Sequence, residues 1–203
     1  MMAKRKIGLT ELAKEVDITL DTETNLGDIL KSFELECEKN NATTINIVVN
    51  GKEMDASDFD KSVQRPIDEI DTLELTTITE DDIWVSFQDI AARFNSIIED
   101  LSLISVQFQN GQDKLALDSV AKLADIVDYF CKVTALSALF PNRFGSMDVE
   151  SVKIQDFFAD FSSILGEFEE AFKNSDSVML GDLAEYEITP RIESIVTMIN
   201  AIK

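Results

Sequence analysis

Eight apolar side chains, Ile83, Phe87, Ile90, Phe94, Ile97, Leu101, Ile104 and Phe108, recur at spacings of 4, 3, 4, 3, 4, 3 and 4. A strand turns every second side chain to one face, so no strand produces this rhythm. A helix does, and it lines all eight along one stripe. The stripe predicts a helix from about Asp82 to Phe108 and must be covered by other helices. The cover comes either from this chain or from a second copy, so a homodimer is one expectation.

The composition of the full 203-residue sequence narrows the chemistry. It contains no histidine, which removes the commonest general base and transition-metal ligand. Ser-His-Asp and Cys-His arrangements are excluded, as are histidine-bearing zinc sites. Cys37 and Cys131 are too few for a four-thiolate site. Both fall in helical apolar patterns and are expected to be buried free thiols, as suits a reducing, cytoplasmic setting. The 39 acidic against 18 basic residues give a net charge of −21. Such a field opposes nucleic acid and anionic membrane and favours a protein partner with a basic surface.

Up to about residue 80 the pattern is mixed. Val16 to Leu20 alternates as a strand, and a weaker one falls near Lys6 to Glu11. Thr24 or Asn25 caps a helix carrying Leu26, Ile29, Leu30, Phe33 and Cys37. Thr44 to Val49 is rich in β-branched residues and runs into Asn50-Gly51, a dipeptide suited to a two-residue hairpin turn. Lys52 to Met54 returns, Asp55 to Pro66 is polar and loop-like, and Thr72 to Ile78 alternates again. The order strand, strand, helix, strand, short strand, strand resembles the ubiquitin-like β-grasp fold. Ile47-Val48-Val49-Asn50-Gly51 followed by Ile67 to Leu75 is similar to the second half of sulfur-carrier β-grasp proteins. That resemblance implies a docking module. The family's reactive Gly-Gly tail is absent, because the last strand runs into Thr79-Glu80-Asp81-Asp82. Carrier chemistry is therefore not implied.

The period changes from 2 to 3.5 near Thr79 to Asp82, which places a domain junction there, with Asp81 or Asp82 capping the long helix. The expected fold class is α+β: a β-grasp-like domain over residues 1–80 and an all-α four-helix bundle over 81–203. The second helix is expected to bury Leu117, Val120, Leu123, Ala124, Val127, Phe130 and Cys131, and the third Ile154, Phe157, Phe161, Ile164, Phe168 and Phe172. The last, from near Ser177, carries Leu180 to Ile202 and is kinked by Pro190. Phe108 to Asp113 and Phe172 to Asp176 align with one gap, which fits either a duplication or the shared demands of two helical hairpins. An acidic bundle of this style resembles bacterial secretion and flagellar export chaperones.

No residue set supports catalysis, a cofactor or a metal ion, and the chain is expected not to be an enzyme. Glu99-Asp100 with Glu185 and Glu187, and the acidic run Glu53 to Asp60, are the carboxylate groups a small ligand or divalent cation would use. The 13 phenylalanines exceed the needs of one stripe. Phe140, Phe144 and Phe158 are expected to form a partly exposed aromatic docking patch for a protein partner. Trp84, at the junction, is expected to pack the two parts together.

Overall fold

The computed structural model describes residues 4–7, 14–17 and 22–202, with side chains from residue 22 onward except that of Ala56. The chain is mixed α+β and divides into two compact units between Asp82 and Ile83.

The N-terminal unit holds a sheet of five strands: β1 (Lys4–Ile7), β2 (Lys14–Asp17), β3 (Ala42–Val49), β4 (Lys52–Glu53) and β5 (Leu73–Thr79). Their order is β2-β1-β5-β3-β4. The central β1–β5 pair is parallel and the others are antiparallel. The rest of the two strands expected at Lys6 to Glu11 and Val16 to Leu20 lies outside the described residues. Helix α1 (Leu26–Lys39) contributes Leu26 and Ile29 to a small aliphatic core with Val49, Ile70, Leu73 and Leu75.

Polar side chains fix the loops around that core. Asn25 caps α1 by accepting from the Asp28 N–H at 3.0 Å. The Leu26 and Gly27 N–H groups donate to the Arg65 and Val63 carbonyls. These bonds satisfy donors that a helix start leaves open. A Cβ on Gly27 would sit 3.1 Å from the Val63 oxygen, so glycine permits this approach. Asn50 (φ 50) and Gly51 (φ 76) make the hairpin turn that the dipeptide predicts. The Asn50 amide also donates to the Glu69 carbonyl, and its oxygen accepts from the Asp71 and Thr72 N–H groups at 2.8 and 3.0 Å. The polar segment after β4 includes the short helix α2 (Phe59–Ser62).

Helix α3 (Glu80–Ser102) opens with a reciprocal cap: Thr79 Oγ1 accepts from the Asp82 N–H, and the Asp82 carboxylate accepts from the Thr79 N–H. The long stripe is buried from Ile83 to Ile104 and so is closed within this chain. Its helix stops earlier than the spacing predicts. A turn at Leu103 separates α3 from α4 (Ile104–Gln109). Four phenylalanines interlock beneath the stripe: Phe130 on α5 (Asp113–Ser137) meets Phe94, Phe87 and Phe158 at centroid distances of 5.9, 6.4 and 5.1 Å.

The buried face of α5 differs from the one expected. It runs through Ala116, Ser119, Leu123, Ile126, Phe130, Val133 and Ser137, while Leu117, Ala124 and Cys131 are exposed. Only Leu123 and Phe130 belong to both sets. Two serines in the seam mask its rhythm. Their hydroxyls donate to the Leu115 and Thr134 carbonyls and need no outside partner.

The two turns expected to correspond share a geometry. Asn110 and Asn174 end α4 and α7 (Ile154–Lys173). Gly111 (φ 70) and Ser175 (φ 55) follow in left-handed conformations. The Gln112 and Asp176 N–H groups then reach back five residues to the Gln107 and Ala171 carbonyls. Phe108 and Phe172 meet edge to face at 5.9 Å. Asp176 caps α8 (Ser177–Asp182), whereas no side chain caps α5. At Gly181 a Cβ would fall 2.8 Å from Ser105 Cβ, so α8 and α4 approach closely there. The kink expected near Pro190 takes the form of a π-helical turn, Leu183–Ile188, before α9 (Thr189–Ala201). The wider turn absorbs the hydrogen bond that the proline cannot make.

Candidate functional site

The patch expected from Phe140, Phe144 and Phe158 is not an exposed surface. Phe140 and Phe144 are buried, Phe144 to 3% exposure, and Phe158 is half-buried against Phe130. The connection between α5 and α7 folds inward and spends these rings on the core. Phe144 lies on the short helix α6 (Pro141–Phe144), 5.6 Å from Phe87. Arg143 stacks over Trp84 at 5.0 Å, which gives that tryptophan a cationic partner within the helical unit. After α6 the chain makes a small hairpin, β6 (Asp148–Val149) and β7 (Val152–Lys153). Glu150 (φ 50) and Ser151 (φ 69) hold the left-handed turn without the usual asparagine or glycine. Ser194 Oγ donates to the Glu150 carboxylate at 2.6 Å and steadies that turn.

Two of the carboxylates expected to group, Asp100 and Glu187, are committed to ion pairs instead. Asp100 pairs with Lys122 at 3.1 Å, and Glu187 with Arg191 at 2.7 Å. Arg191 also bridges to Asp160 on α7. No group of three or more potential metal ligands occurs among the described residues. Cys37 is buried, and burial first, then the Glu34 charge, pushes its thiol pKa up. Cys131, expected inside, is exposed.

An apolar surface does stand open at α8 and the π turn. Val178, Met179, Leu183 and Tyr186 line a shallow groove of about 510 Å³, interleaved with Asp176, Asp182 and Glu187. Val178 and Tyr186 are each 64% exposed. Met179, Leu183 and Tyr186 follow at spacings of 4 and 3, with Val178 beside Met179, and Leu183 forms the buried floor between the exposed side chains. The helix start at Asp176 and the extra width of the π turn set that face apart from the buried row Leu180, Ala184 and Ile188. A hydrogen bond to Glu185, reinforced by its charge, raises the Tyr186 pKa. The surface offers an aromatic ring, two aliphatic side chains and a rim of negative charge. Sequence reading passed over Val178 and Tyr186 because neither lies on an apolar stripe. Their signal is the reverse: large apolar residues spaced between carboxylates, off the stripe.

Residues 86–198 match the family model described as domain of unknown function (DUF8042). The chain belongs to the DUF8042 family. The groove at α8 and the π turn lies within this DUF8042 segment. Residues 12–79 match a second model, the TP0873 N-terminal domain. An uncharacterized protein of Treponema pallidum (strain Nichols) is 25% identical over 176 residues, covering 87% of this chain and 88% of the relative. No solved structure matches. No helix among the described residues is long and apolar enough to cross a membrane.

Proposed function

We propose that this chain is a non-enzymatic docking protein whose helical unit, a four-helix bundle, binds a basic protein partner through the α8 surface. The observation that carries the reading is the exposed set Val178, Met179 and Tyr186 beside the carboxylates of Asp176 and Asp182. Exposed apolar surface rimmed by charge is the composition of a protein interface, and tyrosine is among the residues that contribute most there. The negative rim, within a chain of net charge −21, selects a partner carrying lysine and arginine. The N-terminal unit is read as a β-grasp domain. Its strand order, with a central parallel pair and the long helix α1 between β2 and β3, supports that reading. Both units lend themselves to adaptor or chaperone-like work in the cytoplasm.

The test is affinity capture from native lysate with the full chain and with the double variant Val178→Asp, Tyr186→Ala. Both side chains are exposed, so the variant should fold, which circular dichroism checks. The expected result is a basic protein retained at low salt by the wild type, released as salt rises, and lost from the variant. Equal recovery by both chains would remove the α8 surface from the reading. A thermal shift on adding a divalent cation, with nothing captured, would replace docking with ligand binding.

A further inference from the structure

The N-terminal unit carries a second open surface, of a different kind. Strand β3 pairs with β5 along its length, from Ala42 opposite Thr79 to Val49 opposite Leu73. Its other side is covered only at one end. There β4 faces Val48 and Val49, and the Met54 N–H donates to the Ile47 carbonyl at 2.9 Å. Among the described residues no strand pairs with Ala42 to Asn46 on that side. Proteins commonly guard such an edge with lysine or proline. This stretch, Ala42-Thr43-Thr44-Ile45-Asn46, has neither and carries no charge.

Beside it lies an apolar groove of about 510 Å³ bordered by α1 and α2, with Leu30, Leu35, Ile47 and Phe59 in its lining. Leu30 and Ile47 also pack on the core, whereas Leu35 is 53% and Phe59 42% exposed. Glu34 and Glu38 border the groove, with Lys31 the cation among its lining residues. The Thr43 and Thr44 hydroxyls donate to the two Glu34 oxygens, both at 2.9 Å, and hold that carboxylate at the strand edge.

We infer that this edge accepts a short extended segment of a partner protein as an added strand, one that carries aliphatic residues and a lysine or arginine at alternate positions, so that all of them lie on its groove-facing side. An added strand satisfies the outward backbone groups of β3. Because its side chains alternate between faces, one set enters the groove against Leu35 and Phe59. Basic residues on the segment meet Glu34 and Glu38. The register shift between Thr44 and Asn46 breaks the edge and limits pairing to a few residues. A second copy of this chain is the poorer occupant, because it would bring the same acidic border against itself. The inference is independent of the α8 surface and survives or fails apart from it.

Fluorescence anisotropy with the full chain tests it. The probe is a short labelled synthetic peptide with valine, valine and lysine at successive alternate positions, on one face, and threonine at the positions between. Controls are the same peptide N-methylated at alternate backbone nitrogens and the chain variant Phe59→Glu, an exposed site that spares the fold. The expected result is saturable binding that falls about tenfold or more with either control, and amide shifts confined to residues 42–47 and the groove. Equal binding of the N-methylated peptide would overturn strand addition. So would no binding of the parent peptide, or sedimentation showing self-association that Phe59→Glu abolishes.

Discussion

The two units solve stability by different means. The helical unit relies on volume: interlocked phenylalanines along one seam, with Phe87, Phe94, Phe130 and Phe161 almost wholly withdrawn from solvent. The sheet unit has a smaller aliphatic core and compensates with side chains bonded to loop backbone, at Asn25, Asp28 and Asn50. The difference teaches where each is vulnerable. A packed seam fails when a side chain is shortened. A stapled loop fails when one amide or carboxylate is lost, although little apolar surface moves.

The largest effect should come from Phe87→Ala, which removes a ring in contact with both Phe130 and Phe144. About 3–5 kcal/mol of stability should be lost, read by urea denaturation. A loss below about 1 kcal/mol would mean that the seam collapses into the space and that volume is not its mainstay. Asn50→Ala should follow, at about 2 kcal/mol, since it strands three hydrogen-bonding groups and puts alanine at positive φ. Faster amide exchange at Asp71 and Thr72 would localise the damage.

Asp28 sharpens the contrast through pH. Its carboxylate accepts from the Thr24 N–H and then the Thr24 hydroxyl, and these bonds lower its pKa. A carboxyl with a lowered folded pKa stabilises above its unfolded value and loses that contribution as pH falls through the folded one. Asp28→Asn should therefore lower stability at neutral pH, flatten the acid limb of the curve, and change little once the pH lies below the folded pKa, where the wild-type carboxyl is itself protonated. An unchanged limb would remove Asp28 from the set of staples. The smallest effect is chemical. Native protein should be alkylated at Cys131 and protected at Cys37, as intact mass shows.

Regular signals were legible in the sequence. The 3–4 spacing identifies α3 with its burial, and Asn50-Gly51 identifies its hairpin. Signals were lost where a residue does work its type does not advertise. Ser119 and Ser137 sit in the α5 seam because each returns its hydroxyl to its own helix. Glu150 and Ser151 turn a hairpin with side chains that rarely favour it. Phe140 and Phe144 looked surplus because the fold of their connecting segment is set by the seam they complete. The open surfaces at Val178 and at Leu35 were missed for a related reason: a single apolar residue off the stripe carries no period to detect.

The π turn at Leu183–Ile188 has one more consequence. It acts as a spacer of a single residue in the last helical stretch, so Ile192, Ile195 and Ile199 meet the core only with that surplus in place. Deleting one position there would restore an ordinary winding and swing the following isoleucines by about a hundred degrees. The chain's final helix is thus timed by its insertion.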